Sequence, residues 1–129
     1  MRNFRELRIW QKGMEIVREV YMLTPLLPNV EKYGLKSQLQ RAAVSIPSNI
    51  AEGCSRDTER DFNWFLHIAI GSAFELETQL TISQQLNLIP MDKVKPLLLM
   101  LSEEQKMINS FISTIKIRKA NTQHPKPNT

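Results

Sequence analysis

Leu35, Leu39, Ala42, Ile46 and Ile50 recur at steps of four and three, and the phase is kept across Pro47. That spacing places all five on one face of a helix. A proline inside a helix removes one backbone hydrogen bond, here to the carbonyl of Ala43, and disfavours the helical conformation of the residue before it. A true break would reset the stripe. The unbroken phase predicts a single helix from about Val30, kinked at Pro47 and ending near Gly53, a natural helix stop.

The same period runs through the rest of the chain, and no stretch alternates with period two for long. In the first segment Leu7, Trp10, Met14, Val17, Tyr21 and Thr24 make one apolar row. Ile9, Ile16, Val20, Leu23 and Leu27 make a second beside it. One stripe is enough to join a core, so two rows predict either a wide buried face or a second contact with another chain, and an oligomer is expected because one bundle core cannot easily use up both. "TPLLPN" ends this helix with two prolines. After the turn "CSRDTERDF", Thr58 is the expected cap of a third helix, with Asp61 at the capping-box position. That helix runs to about Leu88. Ala42 and Ala43 are expected to face Ala69, Gly71 and Ser72 across an antiparallel pair.

"NLIP" closes the third helix, and Asp92 is the expected cap of a fourth, with Pro96 close to its first turn. Val94, Leu97, Leu98, Leu101, Ile108, Phe111, Ile112 and Ile115 form its inward stripe. The reading is all-α: an antiparallel up-down four-helix bundle over residues 1–118. Residues 119–129 are expected to be a disordered basic and polar tail.

At 129 residues the chain is one domain's worth, long enough for a real core. No apolar run reaches the roughly 18–20 residues needed to span a bilayer, so no membrane partner is expected. "MRNFRELRIW" lacks the apolar stretch of a signal peptide. The single Cys54 has no disulfide partner and fits a reducing cytoplasm.

The net charge of +4 is concentrated at the two ends. Residues 1–12 set four basic groups against Glu6, and residues 116–129 carry four basic groups and no acid, which leaves the middle mildly acidic. In an up-down bundle the start of the first helix, the second turn and the end of the fourth helix share one pole. That pole gathers Arg2, Arg5, Arg8, Lys12, Arg56, Arg60, Lys116, Arg118 and Lys119, diluted by Glu6, Asp57 and Glu59. Such a cluster serves solubility alone, or neutralises phosphates of RNA or DNA, more strongly in an oligomer that multiplies the patch. Phe4 and Trp10 read as core rather than base-stacking residues.

Catalytic chemistry is poorly represented. His67 and His124 are the only histidines, and no carboxylate–histidine spacing of the di-iron type accompanies them. Cys54 lies at a helix C-terminus, which raises a thiol's pKa and opposes activation. There is no phosphate loop, nucleophile elbow or metalloprotease motif. No catalytic residue, metal or cofactor is expected. A polar stripe of Arg41, Ser45, Asn49 and Glu52 shares one side of the second helix. Its members either satisfy one another and the carbonyls freed by Pro47, or pair with Glu75 and Glu77 on the third helix, or else form a polar ligand-binding seam.

The stretches "LRIWQKG", "YGLKSQLQRAAVSIPSNIAEGCSR" and "FLHIAIGSAFELETQL" carry a resemblance covering about residues 4–117. The chain resembles the small bacterial four-helix-bundle proteins first noticed as reading frames within intervening sequences of 23S ribosomal RNA genes. Their relatives include the accessory variability protein of diversity-generating retroelements. The pattern matches at Trp10, Tyr21, Gln38, Arg41, Ser45, Pro47, Asn49, Glu52, Gly53, Arg56, Gly71, Ser72, Glu75 and Glu77. The resemblance implies an antiparallel bundle assembled into a homopentameric ring, with no established catalytic activity. It also implies either a nucleic-acid-binding accessory protein or a protein-interaction ring, for instance beside a reverse transcriptase or a ribosome-associated partner.

Overall fold

The computed structural model describes the backbone of residues 2–123 and the side chains of residues 2–116. Four α-helices account for most of it: α1 (Arg8–Leu23), α2 (Leu35–Cys54), α3 (Glu59–Gln85) and α4 (Met91–Gln123). Single 3-10 turns at Phe4–Glu6, Thr24–Leu26 and Asn29–Glu31 punctuate the first third of the chain. α1 packs on α2, α2 on α3, α3 on α4 and α4 back on α1, while neither diagonal pair makes a comparable contact among the described residues. That closed cycle is a four-helix bundle.

The helix ends follow from local chemistry. Asn3 accepts from the backbone N–H of Arg5 at 3.2 Å and starts the first turn. Pro25 and Pro28 stop α1, and the connection is clamped where Gln40 Nε2 donates to the buried Thr24 hydroxyl at 3.1 Å. The second helix begins at Leu35 rather than near Val30. Residues 29–31 turn as 3-10, and the Glu31 carboxylate accepts from the Leu35 N–H at 3.0 Å in place of a capping hydroxyl. Thr58 caps α3 through the Asp61 N–H at 3.1 Å. α3 ends at Gln85, just before Asn87 takes the left-handed conformation, φ 58°, and the Leu88 N–H returns to the Ser83 carbonyl at 2.9 Å. This is the amide's usual role at a helix C-terminus.

Asp92 lies inside the first turn of α4, where its charge complements the helix dipole, and the Pro90 carbonyl receives the Lys93 and Val94 N–H groups. α4 continues to Gln123, past the boundary expected at residue 118. Residues 124–129 of the expected tail lie outside the described residues. α2 runs unbroken through Pro47, as the apolar phase requires.

Two contacts fix the register of α2 on α3. The Ser45 and Ser72 hydroxyls are 2.8 Å apart, and at Gly53 a Cβ would come within 2.9 Å of Phe65 Cβ and 3.0 Å of Phe62 Cδ1. Descending along α2 while ascending along α3, these contacts make the pair antiparallel. They also set Ala42 level with residues near Glu75 rather than Ala69. The seam is nevertheless built from small residues: Ala42, Ala43, Ala69 and Ala73 are all buried. Gly71 is not part of it; it points outward with nothing within 4 Å of a Cβ position. Phe62 against Phe111, 5.5 Å between rings, and Gln105 donating to Glu77 at 3.2 Å run α4 antiparallel to α3.

Because the α2–α3 seam has no room for larger side chains, Ala69→Leu should destabilise the bundle by about 1–3 kcal/mol through overpacking. Val44→Leu, on the exposed side of α2, should stay within about 0.5 kcal/mol of the parent. Urea unfolding followed by circular dichroism checks both.

Candidate functional site

The start of α1, the α2–α3 turn and the carboxyl end of α4 meet at one pole. The Arg2 N–H donates to the Cys54 carbonyl at 3.1 Å, and the Arg2 guanidinium pairs with Glu59 while lying 4.1 Å from the centre of the Phe62 ring. A groove between α1 and α4, lined by Leu7, Arg8, Lys106, Phe111 and Thr114, joins the α4 side to the same end.

Several of the expected cations are engaged by partners. Arg2 is held by Glu59, and Arg56 by Glu52 at 3.0 Å with its guanidinium 4.8 Å from the Phe65 ring centre. Lys12 faces α4, where its ammonium donates to Glu103 at 2.5 Å. That contact, a hydrogen bond first and a charge attraction second, lowers the Glu103 pKa. Arg5 covers the ring of Phe4 at 4.7 Å. Arg5, Arg8, Arg60 and Lys116 carry no carboxylate partner among the described residues. The side chains of Arg118 and Lys119 lie outside the described residues. Phe4 and Trp10, 5.2 Å apart, are half-buried against the core and present no open stacking platform.

The polar stripe of α2 resolves into a neutral ladder. Asn49 Nδ2 donates to the Ser45 carbonyl and hydroxyl, both at 2.8 Å, and Ser45 meets Ser72. Glu75 accepts from Gln79, and Glu77 from Gln105, each at 3.2 Å. Arg41 pairs with neither. It is exposed, in an open groove of about 490 Å³ with Tyr21, Ser37, Gln40, Ser48 and Asn49.

Both apolar rows of α1 contribute to a wide buried face: Ile9, Ile16, Val20, Leu23 and Leu27 are core, and in the other row Thr24 is buried, Leu7, Trp10 and Val17 pack partly buried against the core, and Met14 and Tyr21 are exposed. The row of Ile9 and Ile16 is therefore consumed within the bundle. The exposed apolar face lies on α3 instead. Trp64 is 61% exposed, Phe74 52% and Ile82 40%, and with His67, Gly71 and Thr78 they follow one helical stripe. Trp64, Phe74 and Ile82 were read only as part of a long helix. The signal that could have separated them is their three-and-four spacing about a glycine, out of phase with Phe62, Leu66, Ala69, Ala73, Leu76 and Leu80.

Two buried groups have altered acidity. Burial pushes the Cys54 thiol up, only partly offset by Arg2 and the amino terminus, so it is the reverse of an activated nucleophile. Glu104 is fully buried, and neither carboxyl oxygen has a hydrogen-bond partner among the described residues. Burial raises its pKa to about 8, with Lys12 pulling the other way. The inward stripe of α4 had passed over it, although the seven-residue gap between Leu101 and Ile108 is where a helix must present another inward side chain. Among the described residues no cluster of three histidine, cysteine or carboxylate side chains could hold a metal, and no helix is long and apolar enough to cross a membrane.

Fold and site together define an all-α four-helix bundle whose distinguishing features lie on its surface. The sequence matches the family described as 23S rRNA-intervening sequence protein over residues 5–110, and the chain belongs to that family. A search of curated proteins finds no match. Among solved structures, it is similar to a protein of unknown function from the S23 ribosomal protein family of Bacteroides thetaiotaomicron, at 26% identity and a TM-score of 0.75. That match covers 81% of this chain and 97% of the other.

Since Ile16 is core rather than interface, Ile16→Lys should abolish the folded state, an uncompensated buried charge costing on the order of 3–5 kcal/mol. The check is far-ultraviolet circular dichroism and the unfolding midpoint. A folded, merely dissociated variant would place that row at a contact with another chain.

Proposed function

We propose that the protein is a non-catalytic, self-assembling bundle that holds nucleic-acid backbone at its basic pole. What supports this reading is that Arg5, Arg8, Arg60 and Lys116, from three separate segments, carry no carboxylate partners among the described residues. The names of the family and of the structural neighbour, both pointing to ribosomal RNA genes or ribosomal proteins, favour RNA as the nucleic acid. The excess of cations is modest in one protomer, because Glu6, Asp57 and Asp61 stand nearby. Assembly would multiply it through avidity.

The α3 stripe is the assembly face in this reading, and a second copy of the chain is its occupant. A glycine in mid-helix costs about 0.5–1 kcal/mol relative to alanine, and Gly71 has no neighbour in its own protomer to require it. A close approach by another backbone, flanked by Trp64 and Phe74, accounts for that residue. The homopentameric ring implied by the resemblance is the expected closure, and a cytoplasmic location suits the lone thiol. The near balance of charge at the pole favours one other reading: a protein-interaction ring without direct nucleic-acid binding.

Binding to mixed-sequence RNA and duplex DNA at about 50 and 200 mM salt separates the two. Four phosphate contacts on duplex predict roughly a hundredfold loss of affinity over that range. The triple variant Arg5→Glu, Arg8→Glu, Arg60→Glu should bind neither nucleic acid, and Phe74→Glu, which should not assemble, should bind far more weakly than the parent. If the parent binds neither at the lower salt, the protein-interaction reading stands.

A further inference from the structure

The carboxyl group of Glu104 sits where three helices meet. From α1, a Cβ added at Gly13 would lie 3.2 Å from Glu104 Oε2, and from α2 the Pro47 ring reaches the same spot at 3.3–3.4 Å. A Cβ at position 13 would press on both, so that one or the other must give by a few tenths of an ångström. Ile16, Ile46, Ile50, Leu101 and Ile108, each within four residues of Gly13, Pro47 or Glu104 along its helix, are all fully buried. A carboxylic acid without a hydrogen-bond partner is an expensive thing to place there, and neither the fold nor the proposed surface function uses it.

We infer that Glu104 is a proton-operated lock on α1: as the neutral acid it packs as core between Gly13 and Pro47, and as the carboxylate it unseats α1 from α2 and α4. The step is a simple acid dissociation, the proton passing to solvent and the negative charge remaining on the Glu104 oxygens. Two ways then exist to relieve that charge. Water must reach it, or Lys12 must leave Glu103 and turn inward. Both act on α1, which carries Lys12 and, beside it, the Gly13 that seals Glu104 from solvent.

The charged surroundings are few. Lys12 is the one charge that bears on Glu104. On α2 the inward residues Ala43, Ile46, Pro47 and Ile50 carry no titratable group. On α3 the buried residues are apolar or neutral, and Glu77 at its margin is held by Gln105. On α4 itself the neighbours are Glu103, engaged by Lys12, and Lys106 at the surface.

The sign follows from linkage. With the folded-state pKa near 8 and an ordinary value of 4.5, the closed state binds the proton more tightly than the open one. Stability is fully present below the ordinary carboxylate range and declines as pH rises, and the decline levels off above about 8. In that interval the open population should grow about tenfold per pH unit.

The test uses the full chain with the α3 face left intact. Hydrogen exchange of α1 and α3 amides, corrected for intrinsic rates, and the urea midpoint are followed from pH 5.5 to 9. The parent should show α1 protection falling over the interval while α3 holds, and Glu104→Gln should remove the pH dependence of α1. Lys12→Met should move the Glu104 transition to higher pH, a shift that a purely structural lysine would not produce. Carboxyl carbon NMR of the unmutated protein supplies the same midpoint should Glu104→Gln fail to fold. Parallel pH profiles in parent and Glu104→Gln, or a Glu104 carboxyl titrating in the ordinary range, would overturn the inference.

Discussion

The bundle depends on how closely α2 approaches α3. Gly53 has no space for a Cβ against Phe62 and Phe65, and Ala42, Ala43, Ala69 and Ala73 keep the two backbones close over the rest of the seam. Close-packed interiors tolerate little added volume, so this seam sets the register from which everything else follows. It orders the Ser45–Ser72 hydroxyl pair and turns Gly71, Phe74 and Trp64 outward. At its closed end it delivers the α2–α3 turn to the start of α1, where the Cys54 carbonyl receives the Arg2 N–H.

Once that seam is fixed, α1 and α4 complete the core, and their fit has one irregularity. Gly13 on α1 and Pro47 on α2 open a space that α4 fills with a carboxyl instead of an aliphatic side chain. A leucine there would be the ordinary solution to core packing. The pole tells a complementary story. Local pairs, Arg2 with Glu59 and Arg56 with Glu52, partly cancel the basic excess of the sequence.

Much of this was legible before any coordinates. Helical period alone marks four helices, and the continuity of α2 through Pro47 follows from a stripe that keeps its phase. Thr58 announces α3 through ordinary capping chemistry. What sequence could not arbitrate was direction. On α1 two adjacent rows each satisfy the period, and the core took the row that includes Gly13, with β-branched Ile9, Ile16 and Val20. The other row holds Trp10, Met14 and Tyr21, which tolerate partial exposure. Gly71 was placed in the seam because its size suits one, yet a small residue serves an inner or an outer contact equally well. Arg41 was given acidic partners by proximity in the chain pattern, whereas Glu75 and Glu77 turn to glutamines. Pairing depends on side-chain direction, which spacing constrains only loosely.

In the proposed assembly the outer face of α3 lies between protomers, and function resides in an assembled surface rather than in a cleft. Fluorescence quenching of Trp64 by iodide, in a Trp10→Phe background, measures this most directly. On dilution from micromolar to low nanomolar protein, quenching should rise from that of a shielded indole to that of an exposed one, in step with dissociation. Equal, strong quenching at every concentration would contradict the claim.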